Sequence, residues 1–332
     1  MRLGAVMMWG DDLEVFRRQL RLAEDLGYEV IGIGDSPAAW HDVYVSLAVA
    51  AQEVRNATLA TMVTFPFVRH PAATAGAAST LHELTGGRFQ LALGVGGSGT
   101  ATLGRPRPRI SEVRAYLGAV RELLEGGRAE VDGFTTTPLR WARSLPIHLA
   151  ADGPKALRLA GEIADGAIIG VGLSLDLVAE KVEMVREGAR AAGRDPDSIE
   201  IWGMGFVSVR DTRAEANADI VAMLASTGGM GLKAPHMRAL VPPHLLSAVE
   251  QLERQYTPAD HLVIGSRQAQ LVEELGLTDF LAGLRGVTGS PQEVRTYTEE
   301  LEKLGVSCLL VPLPGPVDPE GTLRRMSAAV RG

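Results

Sequence analysis

Cysteine is nearly absent: in 332 residues it occurs once, at Cys308. A single thiol closes no intramolecular disulfide and builds no thiolate metal site, so the chain must hold together by its core, and a cytoplasmic location is expected. Long apolar runs are missing too. No stretch of about 18 apolar residues is available to cross a bilayer, and the strand-like run Arg2–Met8 follows Met1 without the basic, apolar and small-residue order of a secretory leader. Cationic excess is also lacking, since 33 Lys and Arg face 40 Asp and Glu for a formal net charge of −7. Neither a phosphate backbone nor an anionic membrane would be drawn to such a chain, so no nucleic-acid or membrane partner is expected. There is no Gly-x-Ser-x-Gly elbow and no Ser-x-x-Lys, which removes the sequence support for hydrolytic triad chemistry. The seven histidines form no His-x3-His pair and have no Glu at ligand spacing, and no bound metal is expected.

What is present is glycine, 38 residues of it, and a regular alternation of short apolar runs with segments of helical period. Strands are expected at Arg2–Met8, Val30–Gly34, Thr58–Thr64, Phe89–Val95, Ile147–Ala150, Gly166–Val171, Ile199–Val209 and Ser307–Pro312. Helical patterns lie at Leu13–Leu26, Val43–Val54, Ala72–Leu84, Ser111–Leu124, Lys155–Ile163, Leu175–Ala192, Thr212–Leu224 and Pro291–Leu304. In the first of these, Leu13, Phe16, Leu20, Ala23 and Leu26 recur three or four apart and give one dry face. Eight such units imply a parallel sheet with right-handed crossovers. They favour one α/β domain over residues 1–332, a (β/α)8 TIM barrel, with an open doubly wound sheet as the rival. Gly126–Leu145 reads as a short hairpin or loop, and the glycine-, proline- and histidine-bearing segment 227–266 reads as an inserted lid or substrate segment.

Barrels of this kind keep their chemistry at the C-terminal ends of the strands. The second run ends in Gly34-Asp35-Ser36-Pro37, where Asp35 either caps the next turn or offers a carboxylate to the mouth. The third leads to Val63-Thr64-Phe65-Pro66-Phe67-Val68-Arg69-His70-Pro71; Pro71 suits the first turn of a helix, and Arg69 and His70 either brace the loop or belong to the site. The fourth leads to Gly94-Val95-Gly96-Gly97-Ser98-Gly99. This matches G-x-G-x-x-G, but it follows the fourth strand, and Arg105-Pro106-Arg107-Pro108 would interrupt a helix opened by it, so a Rossmann site is excluded. A tight turn, or a backbone edge that approaches an anion or flat ring, remains. The fifth leads to Ala151-Asp152-Gly153-Pro154-Lys155. If Asp152 caps the helix it competes with an anion; if it turns away, Gly153, Pro154 and Lys155 present an anion-binding edge. Trp9 and Trp40, near the first two strand ends, either pack in the core or wall an aromatic pocket. Cys308, inside an apolar strand, reads as an inert buried thiol.

Together these segments resemble the bacterial-luciferase-like superfamily of flavin- and deazaflavin-dependent oxidoreductases, in the branch similar to methylenetetrahydromethanopterin reductase. The resemblance is carried by Leu22-Ala23-Glu24-Asp25-Leu26-Gly27-Tyr28, Gly34-Asp35-Ser36-Pro37, Val63-Thr64-Phe65-Pro66 with Arg69-His70-Pro71, Gly94-x-Gly96-x-Ser98-Gly99, the run from Ala150 to Gly166, and Val287-x-Gly289-Ser290-Pro291. It implies a barrel whose mouth holds coenzyme F420, with FMN as the alternative, and a non-prolyl cis peptide within Met62–Thr64. By the same resemblance Asp35, Met62, Val63, Thr64, Gly96, Gly97, Ser98, Ala151, Gly153, Pro154 and Lys155 surround the cofactor. Asp35 and His70 become the candidates for proton handling, and Trp9, Trp40 and His261 for contact with a small organic substrate. The implied activity is hydride transfer at C5 of the deazaflavin, by a homodimer. The alternatives are an FMN-dependent monooxygenase that uses O2 and a non-catalytic flavin-binding barrel. One departure limits the carry-over: methanopterin reductases have an acidic residue near the end of the first strand, and this chain reads Leu3-Gly4-Ala5-Val6-Met7-Met8 there. The resemblance therefore extends to cofactor and chemistry, not to the substrate.

Overall fold

The structure, a computed structural model, describes residues 1–96, 98–170, 172–257, 260, 262–313 and 317–332, with the side chains of 98 and 101 outside that description. In chain order the strands are β1 (Arg2–Met7), β2 (Val30–Ile33), β3 (Thr58–Thr61), β4 (Phe89–Leu93), β5 (Glu130–Val131), β6 (Phe134–Thr135), β7 (Ile147–Ala150), β8 (Gly166–Ile169), β9 (Glu200–Met204), β10 (Phe206–Val209), β11 (Gly286–Gly289) and β12 (Cys308–Pro312). Eight of them close a parallel barrel in the order β1-β12-β9-β8-β7-β4-β3-β2, the (β/α)8 architecture that the alternation implies. β5 and β6 pair antiparallel as the expected hairpin, turned at Asp132 and Gly133, which both adopt positive φ (52° and 81°) as a tight Asp-Gly turn requires. Among the described residues, no helix is long and apolar enough to cross a membrane.

The chain divides into two compact units. One comprises Arg2–Ile168 with Lys181–Trp202; the other comprises Met1, Ile169–Glu180 and Gly203–Gly332. In the first unit, short polar side chains fix where helices start. Asp12 accepts from the amides of Glu14 and Val15 to open the helix Leu13–Asp25, and Asp42 accepts from those of Tyr44 and Val45 to open Val43–Glu53. The carboxylate of Glu24 accepts from the amides of Arg55, Asn56 and Ala57, which ties the first helix to the entry of β3.

His148, in β7, is 1 % exposed. Its Nε2 lies 3.2 Å from a carboxylate oxygen of Glu200, and its ring stacks on Trp202 with centroids 4.1 Å apart. Burial pushes its pKa down from 6.5 to about 4, with Arg2 adding to the effect and Asp165 opposing it. The unfolded chain therefore takes up this proton near 6.5 and the folded chain only near 4, so folding loses stability as the pH falls through that window. His148→Phe is expected to flatten the decline of Tm with pH over that range; an unchanged slope would show that another group sets it.

In the second unit the structure corrects one expectation. The strand expected over Ile199–Val209 is broken at Gly205, and its second half pairs in parallel with Gly286–Gly289, outside the barrel. A Cβ on Gly205 would lie 2.6 Å from Leu173 Cδ1, so the glycine marks a close approach at the break. Segment 227–266 is largely helical where described: its helices include Val221–Met230, Pro235–Arg238 and Leu246–Gln255. These pack Leu224, Leu232, Met237, Val249 and Leu252 with Leu271, Leu281 and Leu284 into one buried cluster. Gly228 and Gly229 sit inside the helix Val221–Met230, where side chains would collide with Leu252 and Tyr256.

Candidate active site at the strand ends

All of the geometry below lies in the unit containing Arg2–Ile168. β3 pairs with β4 through Leu59 and Ala60, then leaves the ladder. Thr61 bridges the gap with its side chain: its Oγ1 donates to Ala92 O (2.7 Å) and accepts from Ala92 N (2.8 Å). Pairing resumes at Thr64, whose amide donates to Ala92 O at 3.1 Å while Gly94 N donates to Thr64 O at 2.8 Å. Between them the Met62–Val63 peptide bond is cis, within the span expected. The Met62 and Val63 side chains sit where neighbouring strands carry glycine. A Cβ on Gly32 would lie 2.8 Å from Met62 Cβ, and one on Gly94 would lie 2.6 Å from Val63 Cγ2. Met8 similarly covers Gly34, so the end of β1 offers a thioether rather than a carboxylate.

This bulge delivers Thr64 to Asp35. Thr64 Oγ1 donates to Asp35 Oδ2 at 2.7 Å, and Arg69 Nη1 donates to the same oxygen at 3.2 Å. Both bonds go to Oδ2 and leave Oδ1 facing away from them. The Asp35 side chain is only 3 % exposed. Burial pushes its pKa above the ordinary carboxylate value; Thr64 and Arg69 oppose the shift and Asp42 adds to it. The other arm of Arg69 pairs with Asp42 Oδ2, and its guanidinium lies over the Tyr44 ring, 4.7 Å from the centroid. Arg69 is thus engaged by two carboxylates.

The remaining expected residues divide. His70 is exposed and caps the helix Pro71–Leu84, with Nδ1 accepting from Ala72 N at 3.1 Å. Trp9 is half-buried, stacked on Phe16 at 6.2 Å and set against His41 at 4.4 Å, while Trp40 lies half-buried in the turn after Ser36. The glycines after β4 serve first to accommodate Phe65, which is 1 % exposed. Gly96 has φ +67° and a Cβ there would come within 3.0 Å of the Phe65 ring, and a side chain on Gly99 would collide with that ring. Gly97 and His261 lie outside the described residues, as does the side chain of Ser98.

Ala151 donates its amide to Ile168 O at 2.9 Å, so that N–H is spent within the sheet. Asp152 does not cap the next helix; its carboxylate takes a bond from Lys181 Nζ at 2.8 Å. The helix Pro154–Ile163 therefore opens at Gly153 with no side-chain cap and with the exposed Lys155 in its first turn. Such an uncapped start, with its partial positive charge, fits the phosphate of a flavin or deazaflavin cofactor. Sequence reasoning missed Asp42, Tyr44 and Tyr116. Only Asp42 carried a signal, an Asp directly before an apolar helical run.

Comparison with known proteins identifies the family and the fold. The family described as luciferase-like monooxygenase matches residues 1–308. The chain is 28 % identical to the 5,10-methylenetetrahydromethanopterin reductase of Methanolobus tindarius over 95 % of this chain and 94 % of that protein. It is 32 % identical to the F420-dependent hydroxymycolic acid dehydrogenase of Mycobacterium tuberculosis over 59 % of each. The fold is that of the coenzyme F420-dependent tetrahydromethanopterin reductase from Methanopyrus kandleri, with a TM-score of 0.80 at 24 % identity, covering 99 % of this chain and 98 % of that one.

Proposed function

The chain belongs to the luciferase-like monooxygenase family, and on that premise we propose that residues 1–332 form one catalytic domain, an F420-dependent oxidoreductase acting on a small organic substrate. Coenzyme F420, when bound, supplies a ring carbon, C5, that gives or accepts hydride. The observation that carries the reading is Asp35: a nearly buried carboxyl at a strand end, fixed through one oxygen by Thr64 and Arg69.

Each residue contributes a separate piece. Asp35 holds or releases a proton at Oδ1, the oxygen that Thr64 and Arg69 leave alone, and its raised pKa suits that task. Met62 and Val63, pressed against Gly32 and Gly94, form a rigid wall for a flat ring. The uncapped amides after Gly153, with Lys155, hold the anionic tail by local contacts, which a chain of net charge −7 requires. Trp9 and Trp40 flank the substrate and keep water from it. We place the enzyme in the cytoplasm as a homodimer, in line with the family resemblance.

The F420-dependent relatives support the deazaflavin over FMN. Fluorescence titration of the purified protein with each cofactor tests this choice: saturable binding of F420 with weaker FMN binding is expected. Tight FMN binding with no F420 binding would favour the oxygen-using monooxygenase.

A further inference from the structure

Outside the proposed reacting centre, one guanidinium serves two carboxylates. Arg69 Nη1 reaches Asp35 Oδ2 at 3.2 Å and Nη2 pairs with Asp42 Oδ2. The two acids sit in different settings: the Asp35 side chain is 3 % exposed and that of Asp42 is 44 % exposed. Asp42 is itself fixed, because its Oδ1 caps the helix Val43–Glu53 through the amides of Tyr44 and Val45. Arg69 is held from both ends. Its head lies on the Tyr44 ring, and its carbonyl accepts from Tyr116 Oη at 3.1 Å, while that hydroxyl also exchanges a 2.7 Å hydrogen bond with Thr74. A planar fork can span two acids in this way, whereas a lysine ammonium is a single point charge.

From this arrangement we infer that Arg69 is a positioning residue shared by Asp35 and Asp42, so that the exposed Asp42 grades how far the Asp35 charge is compensated. The sharing has a direction. The guanidinium favours the Asp35 anion, and the Asp42 charge disfavours a second anion nearby and so offsets part of that support. Among the described residues, the charged and titratable groups interacting with Asp35 are Arg69 and Asp42, with the Tyr44 and Tyr116 hydroxyls; both hydroxyls are pushed by burial toward their neutral form. The pair therefore acts from the solvent side on a group that the substrate side would use. This inference rests on Asp35 as the proton-handling group, but its first readout does not.

The test follows the side-chain carboxyl carbon of Asp35 by NMR in protein labelled with 13C-aspartate, the signal being assigned by its loss in Asp35→Asn. Its titration midpoint is expected to rise in Arg69→Gln and to fall in Asp42→Asn, where asparagine preserves the helix cap. Arg69→Lys is expected to return part of the way to the unsubstituted protein. The limb of the kcat–pH profile should move in the same order, a pattern that a purely structural role for either residue would not give. Midpoints unchanged in both Arg69→Gln and Asp42→Asn would overturn the inference. Midpoints that move while the kcat limb stays still would confirm the sharing of Arg69 and remove Asp35 from proton handling.

Discussion

Asp35→Asn lowers turnover by about 10²- to 10⁴-fold, the range that loss of a positioned acid or base produces, while cofactor affinity changes little. Asparagine has nearly the same shape, and its amide oxygen can still accept from Thr64. What it loses is the ionisable oxygen. Arg69 keeps its bond to Asp42, so no cation is left buried without a partner and the fold should persist. The split between steps is the informative part. Helix Pro154–Ile163 and the wall of Met62 and Val63, the proposed cofactor-holding elements, are untouched by the substitution. Measured kcat together with the F420 dissociation constant decides the point; full turnover in Asp35→Asn would remove Asp35 from the chemistry, and lost cofactor binding would assign it to the cofactor instead.

The second large effect is on stability. Gly188→Ala is expected to cost about 3 kcal/mol, at the upper end for inserting a methyl group into a closely packed interior. Helix Pro154–Ile163 crosses the segment around residues 185–189 at two glycines. A Cβ on Gly188 would run into the carbonyl oxygen of Arg158, and one on Gly161 would run into that of Val185. Both obstacles are backbone, so no rotamer change relieves them, and the helices would have to separate. Tm should fall by roughly 4 °C, and if this helix start holds the cofactor as proposed, affinity for F420 should fall as well. A Tm equal to that of the unsubstituted protein would show that the crossing is looser than the structure describes.

Much of the fold was legible in the sequence because alternation of apolar runs with helical periods depends only on local spacing. The misreadings came where long-range packing decides. Gly205 looks like any strand residue until Leu173 and Val287 are seen pressed against it, and Gly228-Gly229 looks like a loop until Leu252 and Tyr256 fill the space. At the site, Asp35 was legible from its place at a strand end, and the cis bond after Met62 from the family resemblance. Tyr44 and Tyr116 were not, since they lie on two helices, Val43–Glu53 and Ile110–Leu124, whose approach to Arg69 no local pattern encodes. The glycines after β4 were legible as a special loop, but the reason lay with Phe65, about thirty residues earlier in the chain.

Deazaflavin redox chemistry that depends on Asp35 can be read from the absorbance of F420 under anaerobic conditions, with the protein and a panel of small alcohols and carbonyl compounds. At least one compound should change the redox state of F420 with the unsubstituted protein, and should do so at least about 100-fold more slowly with Asp35→Asn. No change with any compound, alongside protein-dependent oxygenation of a substrate when reduced FMN and O2 are supplied, would contradict this chemistry.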